Sequence, residues 1–196
     1  MQALKNHLLS RLLSLDYDGD EWSFTSEQRS AIHLMNLYSV VESKLLRINY
    51  TTYDIRRDYD TIRPSRSDVV MTSSRDQDHP FWYAQVIRAW HIQAHFCPAG
   101  AGYSKHKMEV LWVRWLGIDR AHRWGFKEGH MPKVGFVLDG VNHAPFGFLD
   151  PSLTLRGCHL IPAFSDGCMS ELLREGASLA RVSGEIDDWA GFYVNM

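Results

Sequence analysis

The sequence predicts a mostly β protein of the α+β class, in which short helices flank a small antiparallel barrel. Three observations predict it. From Asp68 to Ile161 the chain alternates short β-branched and aromatic segments with turn-forming Gly, Pro, Asp and Asn, the pattern of a small barrel or sandwich. A helical spacing of leucines is concentrated at the N-terminus, at Leu4, Leu8, Leu9, Leu12, Leu13 and Leu15. Finally, 45% hydrophobic and 12% aromatic residues over 196 positions suffice for a sizeable core, and 22% charge is ordinary for a folded chain, so global disorder is excluded.

Taken in order, residues 3 to 14 read as an amphipathic helix whose leucine face needs a partner, either the main domain or another chain. Thr25 and Gln28 have capping-box spacing, so a second short helix begins there. Residues 31 to 41 fit helix or strand. Residues 45 to 55, LLRINYTTYDI, predict a strand. The following RRDYDTIRPSRSD is charged, contains Pro64 and lacks periodicity, which predicts a connection into the main domain. Then come DVVMTS, the long FWYAQVIRAWHIQAHF, MEVLWVRWLGI, KVGFVLD, FGFLD and LTLRGCHLI as successive strands. Residues 165 to 185 read as helical or loose, and WAGFYVNM as a closing strand. The expected organisation is an N-terminal helical and strand extension over 1–66, a β core over 67–165, and an extension over 166–196 that packs back on the core.

Charge narrows the function classes. Lys and Arg number 21 against 23 Asp and Glu, a net of -2, which excludes a uniformly basic nucleic-acid coat but not a local patch. No apolar run approaches the roughly 20 residues that span a bilayer, and the first residues lack the form of a secretory signal. With only Cys97, Cys158 and Cys168, widely spaced, the expectation is a reducing, intracellular setting rather than a disulfide framework.

Alternation along a strand assigns faces. Strict alternation puts Trp82, Ala84, Val86, Arg88 and Trp90 on one face of the long strand and Tyr83, Gln85, Ile87, Ala89 and His91 on the other. On the next strand, Leu111, Val113 and Trp115 oppose Val110, Trp112, Arg114 and Leu116. Both faces carry Trp, and one core buries one face fully. Some indoles are then expected to stay partly exposed beside Arg, as a surface for a peptide or cationic side chain, with a fully packed aromatic core as the alternative.

The order DVVMTS, PFWYAQVIRAW, MEVLWVRWLGI, KVGFVLD and TLRGCHLI resembles the bromo-adjacent homology (BAH) domain over about residues 66 to 165. Gln85 stands where that family's aromatic-Ala-Arg-Ile strand has its arginine. The longer strings RINYTTYDIRRDYDTI, HPFWYAQVIRAWH, LRGCHLIPAF and DDWAGFYVNM resemble the C-terminal region of open reading frames of basidiomycete fungal DNA transposons of the Plavaka or KDZ type, over residues 45 to 196. Together these resemblances imply a transposon-derived, non-catalytic, BAH-like interaction module working in the nucleus without a cofactor. Its implied partner is a protein segment such as a histone tail, docked near Trp82, Tyr83, Trp112 and Arg114.

Arg47, Arg56, Arg57, Arg63 and Arg66 interleave with Tyr50, Tyr53 and Tyr59, a mixture suited to phosphate contact and base stacking, so a DNA-binding accessory module is the alternative. Asp54, Asp58 and Asp60 partly cancel that field, as on a solvated mixed-charge surface. Asp16, Asp18, Asp20 and Glu27 fall at positions 1, 3, 5 and 12 of an EF-hand-like loop, but Glu21 stands where the turn needs Gly, which favours a solvated acidic turn over calcium. His91, His95, Cys97, Cys158, His159 and Cys168 lack paired zinc-ligand spacing. Phosphate-binding and nucleophile-elbow motifs are absent, and Asp58, Asp60, Asp68, Asp76 and Asp78 match no known nuclease spacing.

Overall fold

The computed structural model describes residues 1–16, 22–34, 39–66, 69–73, 79–98, 102–140, 144–173, 176–181 and 184–195. The protein is mostly β with two helices, α1 (Gln2–Leu12) and α2 (Ser26–Ser30). The strands are β1 (Ile32–His33), β2 (Val40–Ser43), β3 (Leu46–Thr51), β4 (Arg57–Ile62), β5 (Val69–Ser73), β6 (Phe81–Phe96), β7 (Ser104–Ile118), β8 (Lys133–Phe136), β9 (Phe146–Leu149), β10 (Thr154–Pro162), β11 (Cys168–Met169), β12 (Asp188–Trp189) and β13 (Phe192–Asn195).

The long β6–β7 antiparallel pair is the spine. From it the ladders run β6 to β5, β5 to β10, β10 to β13, β13 to β8 and β8 to β7, so six strands pair in a closed circuit. The distal half of the spine projects beyond this circuit, with β1 and β2 on its β6 side, while β9 flanks β7. Separate β3–β4 and β11–β12 ladders complete the described strands.

Three clusters make the core. One draws from every strand of the circuit, with Val69, Met71, Tyr83, Leu116, Val134, Cys158, Phe192 and Val194. These are alternate positions of their strands, so the cluster fills the ring. A second lies on the opposite side of β6 and β7, where Ala84, Val86, Leu111 and Val113 meet Ile48 and Ile62 of the β3–β4 hairpin. The third is made where Leu4, Leu8 and Leu9 of α1 pack on Ile92, Ala94, Met108 and Val110 of the distal spine. The leucine face of α1 therefore finds its partner within this chain. On α2, Thr25 Oγ1 accepts from the Gln28 amide and the Thr25 amide donates to Gln28 Oε1, the reciprocal cap that the spacing predicts.

Two features differ from the sequence reading, and a third decides between the helical and loose alternatives it left for residues 165 to 185. The charged stretch after residue 55 is no plain connector: Arg57–Ile62 pairs with Leu46–Thr51 residue for residue. Its inward row, Ile48, Ile62 and Asp60, lies over β10, where Asp60 Oδ2 accepts from the Gly157 amide at 2.9 Å. Gly157 leaves room for this contact, since a Cβ would stand 2.8 Å from Ile62 Cδ1 and the end of that side chain would have to shift. Residues 165 to 185 contain no α-helix among the described residues; they form a 3-10 turn, β11 and irregular chain. Lastly, β6 carries a bulge between Val86 and Arg88, where Val86 faces Val113 but Arg88 faces Trp112. One extra residue reverses every later side chain, because strand side chains repeat every two residues.

Candidate functional site

The bulge rewrites the expected aromatic faces. Before it, Trp82, Ala84 and Val86 share the hairpin-covered face with Val113 and Trp115, and the Trp82 and Trp115 rings meet edge to face at 6.5 Å. After it, Arg88 and Trp90 lie on the same face as Tyr83, Gln85, Trp112 and Arg114. Trp82 therefore stands on the side of the sheet opposite the other three residues expected to bind a ligand. Tyr83 is 0% exposed inside the ring, and burial pushes its phenol pKa upward. It cannot meet a docked peptide.

Arg114 is likewise no surface residue. It is 1% exposed and projects from β7 opposite Gln85. Its Nη1 and Nη2 donate to the two carboxylate oxygens of Asp188 at 2.8 and 3.0 Å, and Nη1 also donates to the Ala180 carbonyl at 3.2 Å. The guanidinium lies 3.6 Å from the centroid of Phe136. Arg181 Nη2 donates to the same carboxylate at 3.1 Å, while Arg181 Nη1 holds the Gly176 carbonyl at 2.8 Å. Burial alone would raise the Asp188 carboxyl pKa; hydrogen bonds and charge from Arg114, then Arg181, outweigh it and hold the pKa below the usual carboxylate value. The sequence reading missed Asp188 and Arg181. Their role depends on a fold-back of the C-terminal segment across roughly seventy residues of chain, which no local pattern records.

What stays open is an aromatic shelf on the same face. Trp112 is half-buried, and its ring runs nearly parallel to that of Trp90, 6.0 Å away with 14° between planes. Phe146 of β9 tilts against Trp112 at 6.2 Å, and Phe148 against Trp90 at 6.2 Å. Beside them Arg88 Nε pairs with Glu42 of β2 at 3.3 Å. The two stacked indoles, flanked by Phe146 and Phe148, make a partly buried apolar surface with an ion pair beside it. Trp112 was legible in advance; Trp90 and Phe146 joined it only through the bulge and the β7–β9 pairing.

The basic hairpin is exposed. Arg47 and Tyr59 point outward with the Arg47 guanidinium 5.1 Å from the Tyr59 ring, Arg57 shares that row, and Arg56 pairs with Asp54 at 3.0 Å. Arg63 and Arg66 lie beyond the hairpin, and Arg66 borders a cavity at the end of the ring. The inward residues are spent on the fold: Arg156 covers Tyr50 at 4.1 Å and pairs with Asp60 at 3.4 Å. Of the calcium candidates, Asp16 and Glu27 are described, whereas Asp18 and Asp20 lie outside the described residues, as do Asp68, Asp76 and Asp78. Among the described residues, no group of three or more His, Cys, Asp and Glu side chains is placed to hold a metal ion. No helix among them is long and apolar enough to cross a membrane.

Fold and site together define a mostly β α+β protein with a half-buried tryptophan shelf and a C-terminal segment clamped by a buried carboxylate. No protein-family model, no curated protein and no solved structure matches this chain.

Proposed function

We propose that this chain is a non-catalytic protein-interaction module with a small BAH-like barrel, from a fungal transposon-derived protein acting in the nucleus, and that it docks an extended peptide such as a histone tail on the Trp90–Trp112–Phe146 shelf. The pair of nearly parallel, half-buried indoles carries the reading. Indole faces supply large contact area at little entropic cost and attract cationic side chains at about 0.5–1 kcal/mol each when exposed. The Arg88–Glu42 pair at the rim offers polar groups that would set peptide direction. The circuit of six paired strands supports the barrel assignment, and the order of strand motifs in the sequence supports the family. Arg114 acts here behind the shelf, holding the C-terminal segment rather than touching the peptide.

Titration of the full chain with histone-tail peptides, methylated and unmodified, tests this. Trp112→Ala is expected to keep its circular dichroism and melting curve within a few degrees while losing peptide binding at least tenfold. Unchanged affinity, or no peptide bound by the wild-type chain, refutes the reading.

The outward row of the β3–β4 hairpin favours one second reading, a DNA-contacting accessory module that uses Arg47, Arg56 and Arg57 with the fully exposed Tyr53 at the tip. Such binding would weaken steeply with salt. A salt-insensitive or absent mobility shift removes it.

A further inference from the structure

Between the end of the strand ring and the folded-back C-terminal segment lies a cavity of about 290 Å³, at the lower end of the size range of small-molecule sites. Val69, Phe136, Leu160 and Phe192 give it apolar walls, and Gln85 forms part of its lining. Gln85 is only 4% exposed, yet its Oε1 has no hydrogen-bond partner among the described residues. Its cross-strand neighbour, Arg114, gives both terminal nitrogens to Asp188, and the buried Arg114 Nε makes no hydrogen bond to Gln85 Oε1 either, since both atoms lack a partner. Buried polar groups almost always find partners, so an orphaned carboxamide oxygen in an otherwise well-packed ring needs an account. Along one wall, Arg114, Arg181 and Asp188 tie the C-terminal segment to β7. Cys158 also lines the space; burial pushes its thiol up to about 12, so it stays protonated and offers no nucleophile.

We propose that this cavity is a binding site for a compact planar ligand that presents an N–H donor beside an acceptor, such as a nucleobase edge or an aromatic carboxamide, with its donor satisfying Gln85 Oε1. A carboxamide pairs in two-point fashion with such an edge, one acceptor and one donor on each side. The apolar and aromatic walls take the body of the ring. Arg66 at the border leaves a cation where a substituent would leave the cavity. This site is separate from the tryptophan shelf, and its test does not depend on peptide binding.

The experiment uses the isotopically labelled full chain with adenine, benzamide and toluene as probes, followed by NMR. Adenine or benzamide is expected to shift the Gln85 side-chain amide signals and the Val69 methyls at low millimolar concentration, with toluene at least tenfold weaker. The stronger of the first two names the source of the ligand. Gln85→Leu should then bind the donor-bearing probe about tenfold less well, the size expected for one lost buried hydrogen bond, and toluene no worse. The proposal is overturned if neither donor-bearing probe moves the Gln85 signals, if toluene binds equally well, or if Gln85→Leu leaves the preference intact. The wild-type arm decides the matter even where the variant fails to fold, because the Gln85 resonances read the contact directly.

Discussion

Asp188→Ala is the most informative single change to the fold. Asp188 is 4% exposed and accepts three hydrogen bonds from two guanidiniums that are themselves buried. Each hydrogen bond to a charged group contributes on the order of 1.5–3 kcal/mol net of the water bonds it replaces. Deleting the carboxylate leaves Arg114 and Arg181 facing each other without it in a low-dielectric interior, and losing one partner of such a cluster costs about 3–5 kcal/mol. For a chain of this size that is a drop in Tm of roughly 6–20 °C. The assay is urea and thermal unfolding followed by tryptophan fluorescence, with wild type and variant side by side. Replacing the whole cluster, Arg114→Met, Arg181→Met and Asp188→Leu together, should recover most of the loss, since an apolar replacement of a buried ion cluster is often neutral. A single variant within about 1 kcal/mol of wild type would refute the reasoning, because a buried pair of arginines cannot lose its counter-charge so cheaply. So would a triple variant as unstable as the single one.

The same carboxylate predicts a pH dependence. Its folded pKa is depressed, so its stabilisation is complete above the unfolded carboxylate value of about 4 and is lost as pH falls through the lower folded value. Denaturation midpoints measured from pH 7 down to pH 2 should therefore fall below about pH 4, and Asp188→Ala should flatten part of that fall. Gly157→Ala should cost about 1–3 kcal/mol by pressing a methyl group toward Ile62 and Asp60, and should raise hydrogen exchange in the β3–β4 hairpin before the rest of the sheet. With a chromogenic disulfide at pH 8, exposed Cys168 should react at once while buried Cys158, its thiol held near 12, waits for unfolding; prompt reaction of both would contradict the packing of the ring. Leu8→Ala, at a position with no exposed surface, should cost about 2–5 kcal/mol and free α1 from the distal spine, read as a separate low-temperature loss of helical signal.

The legible part of this protein is local. Leucine spacing determined α1, the Thr25 and Gln28 pair determined the cap of α2, and the β-branched and aromatic runs determined β5 through β10, because each of these depends on neighbours within one turn or one strand. Trp112 could be placed on one face with Arg114 because β7 alternates without interruption, but its exposure could not be read from that alternation. Tertiary structure decided the rest. A single bulge at Val86 and Arg88 moved Trp90 across the sheet, and nothing in the residues themselves marks where an extra residue will be accommodated. Arg114 reads as a surface cation until the chain returns seventy-four positions later to present Asp188. A charged side chain tolerates burial only where a counter-charge waits, and whether one waits is settled by the path of the whole chain.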